Sequence, residues 1–212
     1  MTREVNSRTQ HSPLRREQAA LTRARIVEGA TAVFELRGYE GARVEDIASE
    51  AGVAVPTVYK VFANKRNLLK ASVDAAMSSG GVGEVERQAW WQEQLEEPTA
   101  EGQLRLLARN ARRIYDRAGR LLEVVRAAAA SGGEIEGLWR GINDERLDRS
   151  RISARRLASK AKLRTTVDSA ARTLWALSGP ELYVLQIQGG GMDPDDYEIW
   201  LGGLYVSALL GS

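Results

Sequence analysis

The fold of this chain is decided by residues 44–62, which read VEDIASEAGVAVPTVYKVF. In the first half, apolar residues recur at the three- and four-residue spacing of a helix face. They are Val44, Ile47, Ala48 and Ala51. Gly52 follows, and a glycine permits the positive φ that a tight turn requires. Pro56 then stands in the first turn of a second short helix, where its missing N–H costs nothing.

The flanking sequence braces these two short helices. Upstream, a longer helix is predicted from about Arg15, with its apolar face between Ile26 and Phe34 and its end at Gly38, where a left-handed cap residue is expected. Downstream, a fourth helix is predicted over residues 65–77. Two short helices around a glycine turn, braced by a longer one, form the helix-turn-helix arrangement, which presents the start of its second helix to base edges in DNA.

The sequence of residues 20–70 closely resembles the tetracycline-repressor-like (TetR) family of bacterial transcription regulators. The matching residues are Phe34, Gly38, Tyr39, Val44, Asp46-Ile47-Ala48, Ala51-Gly52-Val53, Thr57, Tyr59, Phe62, Lys65 and Leu68-Leu69. The segments 174–183 and 197–210 also resemble the regulatory domain of one TetR subgroup. The resemblance implies an all-α fold, in which a three-helix DNA-binding head joins a larger ligand-binding and dimerising body through a fourth helix.

The same resemblance implies which side chains face DNA. They are Arg43, Val44, Val55, Pro56, Thr57, Tyr59, Lys60 and Lys65. Tyr59 and Lys65 are the implied phosphate contacts, which fix register, whereas only contacts to base edges specify sequence. Val55 and Pro56 offer apolar surface to a thymine methyl group. The alternatives are that Tyr59 packs into a small core and that Arg43 is simply solvated.

Two residues depart from the family pattern. Ala54 stands where the family often has a serine N-cap, so the recognition helix lacks about 1 kcal/mol of capping free energy. Arg43 stands where threonine is frequent, and a cation at a helix start opposes the helix dipole. We hypothesise that Arg43 is tolerated because DNA phosphate supplies the anion.

The chain divides into three predicted parts. Residues 1–14 form a flexible basic tail, residues 15–64 the helix-turn-helix DNA-binding domain, and residues 65–212 the regulatory domain, which opens with the connecting helix 65–77. Glycines and a Glu-Glu-Pro sequence break the pattern over residues 78–103, and separate helices are predicted near 104–115 and 121–130. About nine helices are expected in all. No segment alternates with a period of two, so no sheet is expected.

The net charge of +2 conceals an asymmetry along the chain. Residues 1–70 carry twelve basic and eight acidic side chains, whereas residues 165–212 carry one arginine and six acids. A basic end can meet phosphate while the rest of the protein avoids it; the alternative is a chance fluctuation. The arginine-rich run from Arg146 to Arg164 has no single-face spacing and is interpreted as a solvated helix.

Composition argues against catalysis. The 212 residues include no cysteine and one histidine, His11, which excludes thiolate chemistry and leaves almost no means for a histidine-based metal site. No apolar run reaches the ~20 residues of a membrane span, and the start of the chain does not read as a secretory signal. We therefore expect a cytoplasmic protein that is not an enzyme, with no catalytic residue, metal or cofactor.

The regulatory domain offers two sets of candidates, both from the resemblance. Those for a ligand pocket are Trp90, Trp91, Tyr115, Trp139 and Trp175. Those for a dimer interface on the last two helices are Leu182, Tyr183, Trp200, Leu201, Leu204, Tyr205 and Ala208. The alternative for each is the chain's own core, since large aromatics mainly supply buried area. Adjacent tryptophans cannot share one helix face, so one of Trp90 and Trp91 is expected to cover the pocket or a partner surface.

These observations predict a sequence-specific transcriptional regulator. The expected form is a repressor that binds a palindromic double-stranded DNA operator as a homodimer and is released by a small-molecule effector, with no membrane partner. The alternative is a helical small-molecule-binding protein or enzyme whose DNA-binding head is vestigial.

Overall fold

The computed structural model describes residues 13–78 and 85–211, and this part of the chain contains ten α-helices and no strand. The helices are α1 Pro13–Gly41, α2 Val44–Glu50, α3 Val55–Phe62, α4 Lys65–Met77, α5 Ala89–Glu96, α6 Ala100–Ala130, α7 Glu134–Ala158, α8 Val167–Leu177, α9 Pro180–Val184 and α10 Pro194–Leu209. The all-α fold is confirmed. Most of the predicted basic tail lies outside the described residues, and α1 already begins at Pro13.

Helix α1 is interrupted where the sequence predicted its end. Gly38 has φ 69°, a conformation that other residues rarely adopt, and a further helical turn continues to Gly41. The break directs Tyr39 into the core, where its ring stacks 6.1 Å from that of Phe34. Gly38 therefore turns the chain without ending the helix outright.

The first four helices enclose a small apolar core. Its fully or almost fully buried side chains are Ile26, Phe34, Ile47, Val58, Phe62, Leu68 and Leu69. The closest helix crossing lies at Gly29, where an added Cβ would stand 3.0 Å from the backbone nitrogen of Ala51. Arg25 Nη2 donates a 2.7 Å hydrogen bond to the carbonyl of Ala51, which satisfies one of the free carbonyls at the end of α2.

Helix α6 is the centre of the body and packs against α1, α4, α5, α7, α9 and α10. The prediction of two separate helices here is wrong, because one buried stripe runs from Leu104 through Leu122 without a break. Gly119 lies inside this stripe, where an added Cβ would stand 3.6 Å from the ring of Tyr183. The glycine therefore makes room for an aromatic ring and does not end the helix.

The prediction that residues 146–164 form a purely solvated helix is also wrong. Arg146 is only 8% exposed, and Ser150 and Ser153 are buried on the same face of α7. Arg155 and Arg156 are exposed, as expected. The buried face carries polar groups at the helical spacing of the apolar residues Leu138 and Leu157, so hydropathy alone does not reveal it.

The last two α-helices bury several residues that were predicted for the dimer interface. Tyr183, Leu201 and Tyr205 lie in the chain's own core, where the wide apolar stripe of α10 packs on α6. The hydroxyl of Tyr183 donates to the carboxylate of Asp116 on α6. Leu182, Trp200, Leu204 and Ala208 are partly buried, so they retain surface for another contact.

Head and body meet along α6 and also at the start of α7. The hydroxyl of Tyr39 donates to the carboxylate of Glu134, and Arg66 Nε donates a 3.0 Å hydrogen bond to the carbonyl of the same residue. Burial, followed by the hydrogen bond to Glu134, raises the pKa of Tyr39. Residues from α1 and α4 thus hold a single residue of α7.

Candidate nucleic-acid interface and ligand cavity

Helix α3 has one buried and one exposed side. Val58 and Phe62 point into the core, whereas Pro56, Tyr59 and Lys60 are exposed. Tyr59 is 48% exposed, and within the described residues its hydroxyl makes no hydrogen bond and the Lys60 ammonium makes no ion pair. With the partly buried Thr57, these residues form a surface that we call the α3 surface: Pro56, Thr57, Tyr59 and Lys60.

Two of the predicted DNA contacts pack on the core, Val44 almost fully buried and Val55 partly buried. Val44 is 8% exposed and Val55 packs against the core, because both complete the apolar faces of short helices. Arg43 is exposed at the N-cap of α2 and makes no side-chain capping hydrogen bond. Its guanidinium is therefore available to an external anion, unlike that of Arg37, which pairs with Asp46 at 2.5 Å.

Lys65 makes contacts that the sequence did not indicate. Its ammonium donates to the carbonyls of Tyr39 (2.8 Å) and Ala42 (3.2 Å) and lies 4.3 Å from the centroid of the Tyr39 ring. A cation is favourable beside the carbonyls at a helix end. Since an ammonium has three N–H groups, two are used within the head, and a phosphate contact by Lys65 stays a prediction.

The start of α3 is uncapped by any side chain, as the sequence predicted. Ala54 occupies the N-cap position with extended backbone and no side-chain hydrogen bond. Only the backbone bond from Thr57 N to Ala54 O (2.8 Å) closes the first turn. The helix that carries the exposed surface therefore depends on tertiary packing for its stability.

A cavity of about 90 Å³ lies in the body between α4, α5, α6 and α7. Trp90, Trp91 and Tyr115 form its aromatic walls, and Met77 closes it at the end of α4. Both tryptophans line the cavity, and their rings are perpendicular, with centroids 6.2 Å apart. A second cavity of about 440 Å³ adjoins it and shares Trp90, Asn110 and Ile114.

The other two aromatic candidates stand away from the cavity. Trp139 packs against the core. Trp175 lies beside the guanidinium of Arg146, whose central carbon is 5.9 Å from the ring centroid. Neither side chain contributes to the walls of the two cavities described above.

Arg146 is the cavity residue that the sequence did not single out. It donates to Asn143 Oδ1 (2.8 Å), Trp175 O (2.9 Å) and Ser178 O (2.9 Å), and no carboxylate pairs with it within the described residues. Burial raises the pKa of Tyr115, and the charge of Arg146 opposes that rise. The burial of Arg146 could have been predicted from spacing, because Arg146, Ser150 and Ser153 continue the three- and four-residue spacing of the buried face of α7.

The described residues show neither a metal site nor a membrane-spanning helix. Over residues 13–78 and 85–211, no cluster of three or more His, Cys, Asp or Glu side chains is arranged to hold a metal ion. In the same described ranges, no helix combines the length and the apolar character needed to cross a bilayer.

Residues 26–72 match the bacterial regulatory proteins of the tetR family. The matched segment contains the second half of α1, all of α2 and α3, and the first part of α4, which are the elements that build the α3 surface. Residues 26–72 are therefore a tetR-type DNA-binding region. The chain is a DNA-binding transcriptional regulator, as the sequence predicted.

Solved structures extend the likeness from residues 26–72 to the whole fold. The regulator FadR from Bacillus subtilis, in complex with stearoyl-CoA, is 20% identical with a TM-score of 0.70 over 87% of this chain and 98% of its own. The SmeT–triclosan complex is 21% identical with a TM-score of 0.70 over 90% and 92%. A protein assigned as a transcriptional regulator from Saccharomonospora viridis, bound to choline, is 21% identical with a TM-score of 0.67 over 90% and 98%. No curated protein matches the sequence.

Proposed function

We propose that this regulator is a homodimeric repressor that binds a palindromic operator and is released from it by a small-molecule effector. Two copies related by a two-fold axis would present two α3 surfaces to half-sites on one face of a duplex. Its work is binding and shape change without catalysis, metal or cofactor, and we place it in the cytoplasm, where it reaches DNA.

One observation carries this proposal: a single helix joins the head to the cavity. Helix α4 begins at Lys65, whose ammonium holds the last carbonyls of α1, and ends at Met77 in the cavity wall. A ligand that displaces Met77 would move the helix whose other end is fixed to the head. The ligand shifts DNA binding only if its affinity differs between the two arrangements of the heads.

The chemistry of the α3 surface supports DNA as the partner of the head. Tyr59 offers a free hydroxyl and Lys60 a free ammonium, and Arg43 lies exposed at the start of α2. Hydroxyls and cations contact phosphate oxygens, and each neutralised phosphate releases counterions and makes binding salt-dependent. Pro56 offers apolar surface in the same place.

The outer side of α9 and α10 supports the homodimer. Ile199 on α10 is 68% exposed and Leu185, directly after α9, is 63% exposed; the partly buried Leu182 lies on α9, and Trp200 and Leu204 lie on α10. Because Tyr183, Leu201 and Tyr205 serve the chain's own core, the proposed interface consists of this outer set. Exposed apolar groups gathered on neighbouring segments are typical of a subunit contact.

The test uses a fluorescein-labelled duplex that carries a palindrome from the region upstream of the protein's own gene. Binding is followed by fluorescence anisotropy over a range of salt concentrations. Lys60→Gln is expected to weaken binding and to reduce the salt slope by about 1, because one phosphate contact is lost. Tyr59→Phe should weaken binding by removing the hydroxyl alone. Arg140→Gln, in the body, removes the same charge as Lys60→Gln and serves as the matched control.

Unchanged affinity and salt slope in both α3 variants would contradict the proposal, as would an equal loss in Arg140→Gln. Arg43→Thr tests the anion hypothesis in the same assay. It is expected to lower affinity and salt slope together. If both stay as in the parent protein, Arg43 is a solvated side chain only.

A further inference from the structure

We propose that the effector is a small organic anion, a carboxylate carried on one ring or a short chain, and that Arg146 receives its negative charge. The inference rests on the proposed function, in which the body cavity takes the effector, and it names the chemical class of that effector. Relatives of this fold hold ligands as different as stearoyl-CoA, triclosan and choline, so the class must come from this chain's own residues.

The first argument is the unbalanced charge of Arg146. The side chain lines the cavity, the residue is 8% exposed, and within the described residues no carboxylate lies within ion-pair distance of it. A buried charge is costly unless it is paired. An anion that enters the cavity would supply the missing counter-ion and gain a strong charge-assisted hydrogen bond.

The second arginine on the cavity wall, Arg149, has its charge neutralised by carboxylates. Arg149, one turn further along α7, pairs with Glu86 through Nε (2.9 Å) and with Glu145 through Nη2 (2.9 Å). Both arginines are on the cavity wall, yet only one has carboxylate partners. The contrast assigns the anion to Arg146, because Arg149 is already neutralised.

The rest of the cavity wall also favours a ligand that accepts hydrogen bonds. Neither Asp nor Glu is among the described residues that line the smaller cavity. The indole N–H of Trp90, which lines both cavities, is buried and finds no acceptor in the described chain. A carboxylate provides acceptors for this N–H and for the guanidinium, whereas a cation such as choline would meet the like charge of Arg146.

A purely structural role for Arg146 makes a different prediction. Its bonds to Trp175 O and Ser178 O lie at the C-terminal end of α8, where a cation is favourable with or without a ligand. Those two carbonyls and Asn143 Oδ1 take three of the five N–H groups of a guanidinium. If Arg146 is only structural, the cavity should show no preference for anions. Ligands that match in shape and differ in charge therefore distinguish a structural role from an anion-binding role.

The cavity also limits the size of the ligand. About 90 Å³ is smaller than the engineered 150 Å³ cavity that holds benzene, so one ring fits only with adjustment of a flexible wall such as Met77. Long acyl chains would have to extend into the adjoining 440 Å³ cavity. Benzoate, benzamide and benzylamine are suitable probes, because they have the same ring and differ in charge at neutral pH.

The experiment is calorimetric titration of the full-length protein with each probe at neutral pH. Benzoate is expected to bind at least tenfold more tightly than benzamide, and benzylamine is expected not to bind. Equal or tighter binding of benzamide or benzylamine overturns the inference, and so does the absence of any benzoate binding at millimolar concentration.

Variants then test Arg146 itself. Arg146→Gln should lose the preference for benzoate over benzamide, while Arg146→Lys should keep part of it because the charge remains. Arg151→Gln is the control, since it removes the same charge from an exposed position on the same helix, where Arg151 pairs with Asp148. If Arg146→Gln does not fold, the ratio measured on the unmodified protein with the three probes still decides the inference.

The outcome can be separated from that of the proposed function by adding each probe to the protein–operator complex. Release by benzylamine or benzamide, but not by benzoate, leaves the repressor function intact and overturns the anionic class. Failure of the protein to recognise the operator at all, with benzoate still bound in the cavity, contradicts the repressor function and retains the anion site.

Discussion

The head and the body place their polar side chains on opposite sides of their cores. In the head, four helices enclose apolar residues and the α3 surface faces outward. In the body, Gln94, Asn110, Arg146 and Ser153 lie inward around a cavity. The head is therefore suited to a partner that approaches from outside, and the body to one that is enclosed.

The two arrangements have different energetic costs. An exposed ammonium such as that of Lys60 stays hydrated until DNA replaces the water. The buried groups need partners at all times, and a network provides them: Gln94 donates to Ser153 Oγ (3.2 Å) and accepts from Asn110 Nδ2 (3.1 Å). A ligand site inside the body is thus recognised by buried polar groups that lack some of their hydrogen-bond partners. A DNA site is recognised by exposed polar groups that are hydrated and have no partner in the described residues.

Alkaline pH should have the largest effect, and it should act mainly on the body. Burial is the main cause that raises the pKa of Tyr39, Tyr115, Tyr183, Tyr197 and Tyr205. Four of these five belong to the body. A raised pKa stabilises the fold fully below the unfolded value of about 10, and this stability is lost as the pH rises further.

The measurement is a pH titration that follows helix content by circular dichroism and tyrosinate by ultraviolet absorbance. Most of the tyrosinate signal should appear together with the loss of helix. Titration of most tyrosines while the helices remain intact would contradict the described burial of the body.

Phe34→Ala should be the most damaging single substitution in the head. The side chain is fully buried against Tyr39, and the loss of a buried phenylalanine costs about 3–5 kcal/mol. Leu36→Ala is the matched control on the same helix, because Leu36 is 79% exposed and its loss should change the free energy of unfolding by less than about 0.5 kcal/mol. Urea denaturation measures both. Similar losses would show that the inward and outward faces of α1 are wrongly assigned.

Two tyrosine substitutions in the body should differ although they remove the same hydroxyl. Tyr183→Phe removes the hydrogen bond to Asp116, whose carboxylate keeps only its ion pair with Arg112 (3.2 Å) within the described residues, and should cost about 1 kcal/mol of unfolding free energy. Tyr197→Phe should be neutral or slightly stabilising, because the Tyr197 hydroxyl is buried and has no partner among the described residues. Thermal denaturation of the two variants measures the difference in their stability. The reverse order would contradict the hydrogen bonds assigned to the body.

The smallest expected effect is a gain in stability from a substitution in the head. Ala54→Ser supplies the missing N-cap of α3 and should add up to about 1 kcal/mol to the free energy of unfolding. Urea denaturation and the operator anisotropy assay together measure the variant. A loss of stability would mean that the first turn of α3 cannot accept a capping side chain.

The sequence predicted the head better than the body, and the reason is physical. Residue spacing within 44–62 determines the turn and the uncapped start of α3, because these depend on neighbours within a few residues. The outward position of Tyr59 and Lys60 was implied by the resemblance. Spacing also placed Val44 on the apolar face of α2, where it lies, although the resemblance implied a DNA contact for it. The contacts of Lys65 join α4 to the end of α1, more than twenty residues away, and no local pattern indicates them.

In the body, the informative contacts are almost all long-range. Arg146 reaches carbonyls about thirty residues away, and its charged neighbours made the segment resemble a solvated helix. Tyr183 packs on α6 beside Gly119, which lies between the two separate helices that the sequence predicted. Leu201 and Tyr205 were assigned to a partner subunit because amphipathicity shows that a face is covered without showing what covers it.

The most direct test of the central claim is operator recognition measured against salt. The affinity for the upstream palindrome and for a scrambled duplex of equal length should be compared by anisotropy at several salt concentrations. The account predicts a steep loss of affinity with salt on both duplexes and a preference of at least about 10³-fold for the palindrome. The same steep slope with equal affinity for the two duplexes would contradict it, because the α3 surface would then bind phosphate without reading sequence.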